Sequence, residues 1–87
     1  MRHAEYQVLK VVGHIVYIKD MGGNMSITND AEHVVRTIVK DFGSLITLFY
    51  VDSLGYVDEL LIKNGEFDGF NILSDVARHY HAATLGI

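Results

Sequence analysis

From Tyr56 to Leu73 the chain reads YVDELLIKNGEFDGFNIL, and the pair Asn64-Gly65 near its centre decides how the rest is read. A two-residue type I′ loop needs two consecutive positive φ angles, which Asn followed by Gly adopts at low cost. The stretch is therefore predicted to be a β-hairpin, and so short a loop fixes the pairing of its arms. Lys63 should face Glu66, Ile62 should face Phe67, Leu61 Asp68, Leu60 Gly69 and Glu59 Phe70. One face then presents Tyr56, Leu60, Ile62, Phe67 and Leu73, the expected core side. The other presents Val57, Glu59, Leu61, Lys63, Glu66, Asp68, Phe70 and Ile72, with charges near the turn and apolar residues away from it.

Immediately upstream, Leu45 to Asp52 is a strand with no polar face. Leu45, Phe49 and Val51 point one way and Ile46, Leu48 and Tyr50 the other, as expected of a central strand covered on both sides. Ser53-Leu54-Gly55 turns it into the hairpin. Tyr6 to Lys19 (YQVLKVVGHIVYIK) is rich in Val, Ile and Tyr and reads as strand interrupted at Gly13, which is either a bulge in one long strand or a break between two short ones. A turn at Asp20 to Asn24 and a short returning strand at Met25 to Thr28 follow.

Two helices complete the pattern. Asn29 is placed as an N-cap with Glu32 as its capping-box partner and Asp30 near the positive end of the dipole, and Gly43 terminates the helix. Ala31, Val34, Val35, Ile38 and Phe42 form its apolar stripe, leaving His33, Arg36, Thr37 and Lys40 toward water. Ser74 caps a second helix, with Asp75 in its first turn, that runs to Gly86. Residues 1–87 are thus expected to form a single compact α+β domain: a mainly antiparallel sheet of four to five strands with two helices, in the order β-β-α-β-β-β-α.

Composition narrows the functions. The chain carries 7 Lys+Arg against 11 Asp+Glu, a net charge of −4, which argues against direct nucleic-acid binding, since phosphate-tracking surfaces concentrate basic charge. It has no cysteine, so neither a disulfide framework nor a thiolate metal site is available, as suits a cytoplasmic setting. The apolar run LITLFYV is far shorter than the roughly 20 residues a membrane helix needs, and Glu5 and Gln7 fall where a signal peptide would be apolar. No membrane association and no export are expected. The short chain, free of proline and cysteine, has the composition of small bacterial or phage proteins.

Chemistry-bearing constellations are sparse. His79 and His81 flank Tyr80, and two residues apart on a helix they point to nearly opposite faces; Asp75 with His79, four apart, share one face. Two ligands fall short of a structural zinc site, so no metal is expected, and an Asp75-Arg78 surface pair is the plainer reading. His14, in an apolar strand, reads as a half-buried packing residue. No Gly-x-Ser-x-Gly elbow accompanies Ser53, and Asp52-Ser53-Leu54-Gly55 reads as turn chemistry. Asp58 and Glu59 project to opposite sheet faces and cannot act together on one substrate. Gly22-Gly23-Asn24 resembles a backbone nest for an anion but lacks the lysine of a phosphate-binding loop, and a turn explains it. No catalytic residues and no cofactor are assigned.

Hydrophobic residues make up 49% of the chain and the mean hydropathy is +0.20, more apolar surface than two short helices can cover. Self-association as a homodimer or higher oligomer is expected, with Val57, Leu61, Phe70 and Ile72 as contacts. The leading expectation is a small non-enzymatic protein-interaction or regulatory/inhibitor protein acting as a homo-oligomer, able to bind another protein. The alternative is a small-molecule-binding module whose pocket lies at the subunit interface, drawing on Gly22, Gly23, Asn24, His79 and His81. A second alternative is a small hydrolase or lyase that assembles histidines across subunits.

Overall fold

The computed structural model describes residues 3–22 and 25–86. Its elements are β1 (Tyr6–Val12), β2 (Ile15–Asp20), α1 (Ala31–Phe42), β3 (Thr47–Val51), β4 (Val57–Lys63), β5 (Glu66–Asn71) and α2 (Asp75–Leu85). They form one α+β domain with a five-stranded sheet in the spatial order β1-β2-β3-β4-β5. Neighbours are antiparallel except β2 and β3, which are parallel, because α1 carries the chain from the end of one strand back to the start of the other.

At Gly13 the strand breaks rather than bulges. Val12 pairs with Ile15, leaving Gly13-His14 as a tight turn with Gly13 at φ +60. His14 therefore sits exposed in a loop and is not the packing residue expected of a continuous strand. With β1 on one side and β3 on the other, β2 has no free edge to offer. The returning strand expected at Met25 to Thr28 accordingly does not form. Ile27 drops into the core from a turn, and its N–H donates to Asp20 Oδ2 at 3.2 Å.

The two sheet faces carry separate cores. Under α1, the side chains of Ala31, Val34, Val35 and Ile38 pack with Val16, Ile18, Leu48, Tyr50 and Leu60. Full burial of a Val, Leu or Ile side chain contributes about 1.5–3 kcal/mol, so α1 is firmly anchored. The stripe ends earlier than its spacing suggests, since Phe42 lies at the last turn and is partly exposed. The helix starts at Ala31 with Asp30, not Asn29, as N-cap residue, and no capping box closes. Asp30 turns its carboxylate the other way, accepting from the Ala4 N–H at 3.3 Å and meeting His3 Nδ1 at 2.9 Å. The bond to His3, with lesser help from Ala4 and the charges of His3 and His33, holds the Asp30 carboxyl below the usual carboxylate range despite desolvation.

On the opposite face Tyr17, Phe49, Val51 and Val57 form the second cluster, with Ile15, Leu73 and Leu85 packed against it. Leu85 comes from α2, which begins as expected: Ser74 Oγ accepts from the Ala77 N–H at 3.2 Å. Gly86 ends it in the left-handed conformation. No α2 side chain is fully buried, so its hold on the sheet is weaker than that of α1. β3, between the two clusters, buries Leu48 and Tyr50 on one side and Phe49 and Val51 on the other, whereas Leu45 precedes the strand and is 90% exposed.

The hairpin closes as its turn demands, with Asn64 at φ 53 and Gly65 at φ 78, and Lys63 pairs with Glu66 and Ile62 with Phe67. Beyond that the expected register is lost. Leu60 pairs with Phe70 and Glu59 with Asn71, because Asp68 and Gly69 together oppose Leu61 in a β-bulge with Gly69 at φ +105. The extra residue reverses every side chain after it. Phe70 moves to the α1 face, its ring 5.9 Å from that of Tyr50 and 5.1 Å from that of Phe67, while Leu73 moves to the α2 face. Tyr56, expected in the core, stands half exposed outside β4.

A Cβ built at Gly69 would touch nothing, so the bulge needs glycine for its backbone alone. Gly69→Ala should therefore destabilise the domain by about 1–3 kcal/mol. Urea denaturation checks this, and an unchanged midpoint would contradict the bulge.

Candidate functional site

The face under α2 gathers several side chains capable of chemistry. Tyr17 on β2 is buried, and its hydroxyl lies 2.9 Å from Nδ1 of His81 on α2. The His81 ring also packs on Phe49, centroids 4.1 Å apart, and meets Tyr80 edge-on. Burial lowers the His81 pKa, against a smaller upward pull from the charge of Glu59. Burial raises that of Tyr17, with a lesser contribution from Tyr80. Both groups are thus neutral near pH 7 and are joined by one hydrogen bond, whose direction follows the His81 tautomer. The Tyr17–His81 bond pins a helix to a sheet.

His79 points away from His81, as helical spacing requires. It lines a cleft of about 200 Å³ with Tyr56, Val57, Asp75, Arg78 and Ala82, floored by Gly55. Arg78 does not form the surface pair with Asp75 that its spacing suggests. Its Nη2 donates to Asp58 Oδ1 at 3.1 Å, its guanidinium lies 5.2 Å from the Tyr56 ring centroid, and its Nε is buried without a hydrogen-bond partner. Asp58 is half buried beside β3 and attracts the cation more strongly than a solvated Asp75 does. Gly55 also borders a second cleft, of about 260 Å³, whose walls come from Leu9, Lys19, Val51, Asp52 and Ser53. The turn here is built as read: Asp52 Oδ1 accepts from the N–H groups of Leu54 and Tyr56, each at 2.9 Å.

The remaining sequence candidates scatter. Gly22 donates its N–H to Asp20 Oδ1 at 2.8 Å, so that amide is committed to the chain's own carboxylate; Gly23 and Asn24 lie outside the described residues. Of the proposed contacts, Val57 is 1% exposed in the α2-side core and has no surface to offer, and Phe70 faces α1. Leu61 is half buried opposite the bulge, and Ile72, 76% exposed, lies past the end of β5. The four do not form one patch. Tyr50, buried and facing Asp58, Asp52 and Asp20, has its pKa pushed up to about 12, chiefly by desolvation, and serves as a packing tyrosine. Among the described residues no group of three or more His, Cys, Asp or Glu side chains could hold a metal ion, and no helix is long and apolar enough to cross a membrane.

The sheet edges are the features that sequence reading missed. β1 is one edge, and Val8, Leu9, Val11 and Val12 along it are 38–47% exposed. Its only charge, Lys10, reaches across to donate to the Thr84 C=O at 3.1 Å. β5, the other edge, carries exposed Glu66 and Asp68 and is kinked by its bulge. Reading Gly13 as a turn would have placed VLKVV at an edge. Comparisons with protein-family models, curated proteins and solved structures find no match to this chain.

Because the folded pKa of His81 lies below the roughly 6.5 of an unfolded histidine, the unfolded chain takes up this proton first as pH falls. Its contribution is whole above about pH 6.5 and is lost as pH drops through that value toward the folded pKa. Between about pH 7.5 and pH 5 the parent should lose more stability than His81→Gln, which cannot titrate there. Denaturation at both pH values checks this, and equal losses would contradict it.

Proposed function

We propose that this protein is a non-enzymatic interaction module that acts as a homo-oligomer, pairing through the β1 edge of its sheet. The observation that carries this is the unequal protection of the two edges. A free edge strand offers unpaired N–H and C=O groups to any other strand, and natural sheets blunt that hazard with charge, proline or bulges. β5 has two acidic side chains and a bulge near its middle. β1 also bulges, at Leu9, yet its flanks are apolar and its single lysine is turned onto α2. Antiparallel pairing with a second copy about a two-fold axis extends the sheet and removes Val8, Val11 and Val12 from water without opposing like charges.

The chemistry under α2 supports a binding role over a catalytic one. Tyr17 and His81 satisfy each other beneath a helix, and Arg78 is spent on Asp58 and Tyr56. A cytoplasmic setting suits a cysteine-free chain of this kind.

Sedimentation velocity is the test. The parent should sediment as a dimer, and Val11→Asp, at an exposed position on β1, should weaken the dimer by about tenfold or more, equivalent to about 1.4 kcal/mol. Its circular dichroism should be unchanged. A parent that stays monomeric at all concentrations would overturn the proposal.

A further inference from the structure

The chain has four asparagines, and only Asn64 is followed by glycine: Asn24 precedes Met25, Asn29 precedes Asp30 and Asn71 precedes Ile72. A carboxamide one residue ahead of a backbone nitrogen can be attacked by it, closing a five-membered imide. Gly65 sets no side chain beside that nitrogen, whereas β-branched Ile72 crowds the one after Asn71. Asn71 also commits its carboxamide to Glu59 Oε1 at 3.1 Å, while Asn64 stands exposed at the tip of the β4–β5 hairpin.

The folded turn opposes this chemistry. The ring closes only when Asn64 Cβ eclipses the Gly65 nitrogen across the Cα–C bond. Asn64 at φ 53 and Gly65 at φ 78 form a type I′ turn, whose first central residue has ψ near about +30°. That angle sets Cβ almost opposite the nitrogen. The turn is also braced from inside: a Cβ built at Gly65 would lie 3.8 Å from both Val39 Cγ1 and Ser44 Cβ, at the end of α1. Rotation into the reactive geometry therefore requires the hairpin to open.

We propose that Asn64-Gly65 is a self-modification site gated by opening of the hairpin. In the open chain the Gly65 nitrogen bonds to Asn64 Cγ and the Cγ–Nδ2 bond breaks. Nδ2 leaves as ammonia, which carries away the proton of the Gly65 N–H. Water then opens the imide, giving its hydroxyl to one carbonyl carbon and a proton to the nitrogen. Cleavage at Cγ yields an aspartate, and Asp-Gly suits a type I′ turn as well as Asn-Gly does. Cleavage at the main-chain carbonyl yields an isoaspartate, which routes the backbone through Cβ and adds one atom to a loop whose length fixes the register. The second product should thus hinder reclosure and make one opening event lasting.

Peptide mapping by mass spectrometry, with chromatographic separation of the two products, tests this on protein held at mildly alkaline pH. Asn64 should convert ahead of Asn24, Asn29 and Asn71, and faster in protein unfolded by guanidinium chloride than in the folded parent. Gly69→Ala, which loosens the same hairpin, should speed conversion of the folded chain about fivefold or more, as about 1 kcal/mol of easier opening implies. Asn64→Gln, whose ring would be six-membered, should stay unmodified over the same period. Of the two products, the isoaspartate form should have the lower denaturation midpoint. The proposal is overturned if another asparagine converts first, if the folded parent converts as fast as the unfolded chain, or if Gly69→Ala converts no faster than the parent.

Discussion

The parallel pairing of β2 with β3 is the constraint on which the remaining structure depends. Register along it alternates the faces: Val16 with Leu48 and Ile18 with Tyr50 turn toward α1, while Tyr17 with Phe49 turns toward α2. Two adjacent strands buried on both sides leave no room for polar alternation, which is why LITLFYV and HIVYIK read as nearly unbroken apolar runs. A parallel pair also needs a crossover, so α1 and the Ile27 turn must lie over the sheet between them. The two hairpins flank this unit and supply the edges.

Residues whose roles are set by their own backbone were legible in the sequence. Asn64-Gly65 takes positive φ because the loop permits nothing else, Ser74 caps α2, and Gly43 and Gly86 follow the helices they end. The positions that escaped reading answer to distant partners. Asp30 abandons capping because His3 and Ala4, far upstream, reach its carboxylate. Arg78 abandons Asp75 for Asp58 on a strand. Gly69 looks the same in a regular strand as in a bulge, yet as a bulge it transfers Phe70 from one face of the sheet to the other.

The same logic governs the site. The divergence of His79 and His81 follows from helix geometry and was readable. The meeting of Leu9, Lys19 and Gly55 was not, since it joins β1, β2 and the turn after β3 through sheet order alone. The surplus of apolar residues was visible in the composition, but its location was not. The bulge turned Phe70 onto the α1 face beside Tyr50 and Phe67, α2 covered Val57, and part of the exposed remainder lies along β1.

Function in this account rests on β1 being a strand in want of a neighbour. Hydrogen exchange of its backbone amides tests that most directly. Amides of β1 that point away from β2 should be protected when a second copy pairs with the edge, and their protection should fall on dilution. If those outward amides exchange at the rate of an open strand at every protein concentration while their β2-facing neighbours stay protected, the edge is free and the account is wrong.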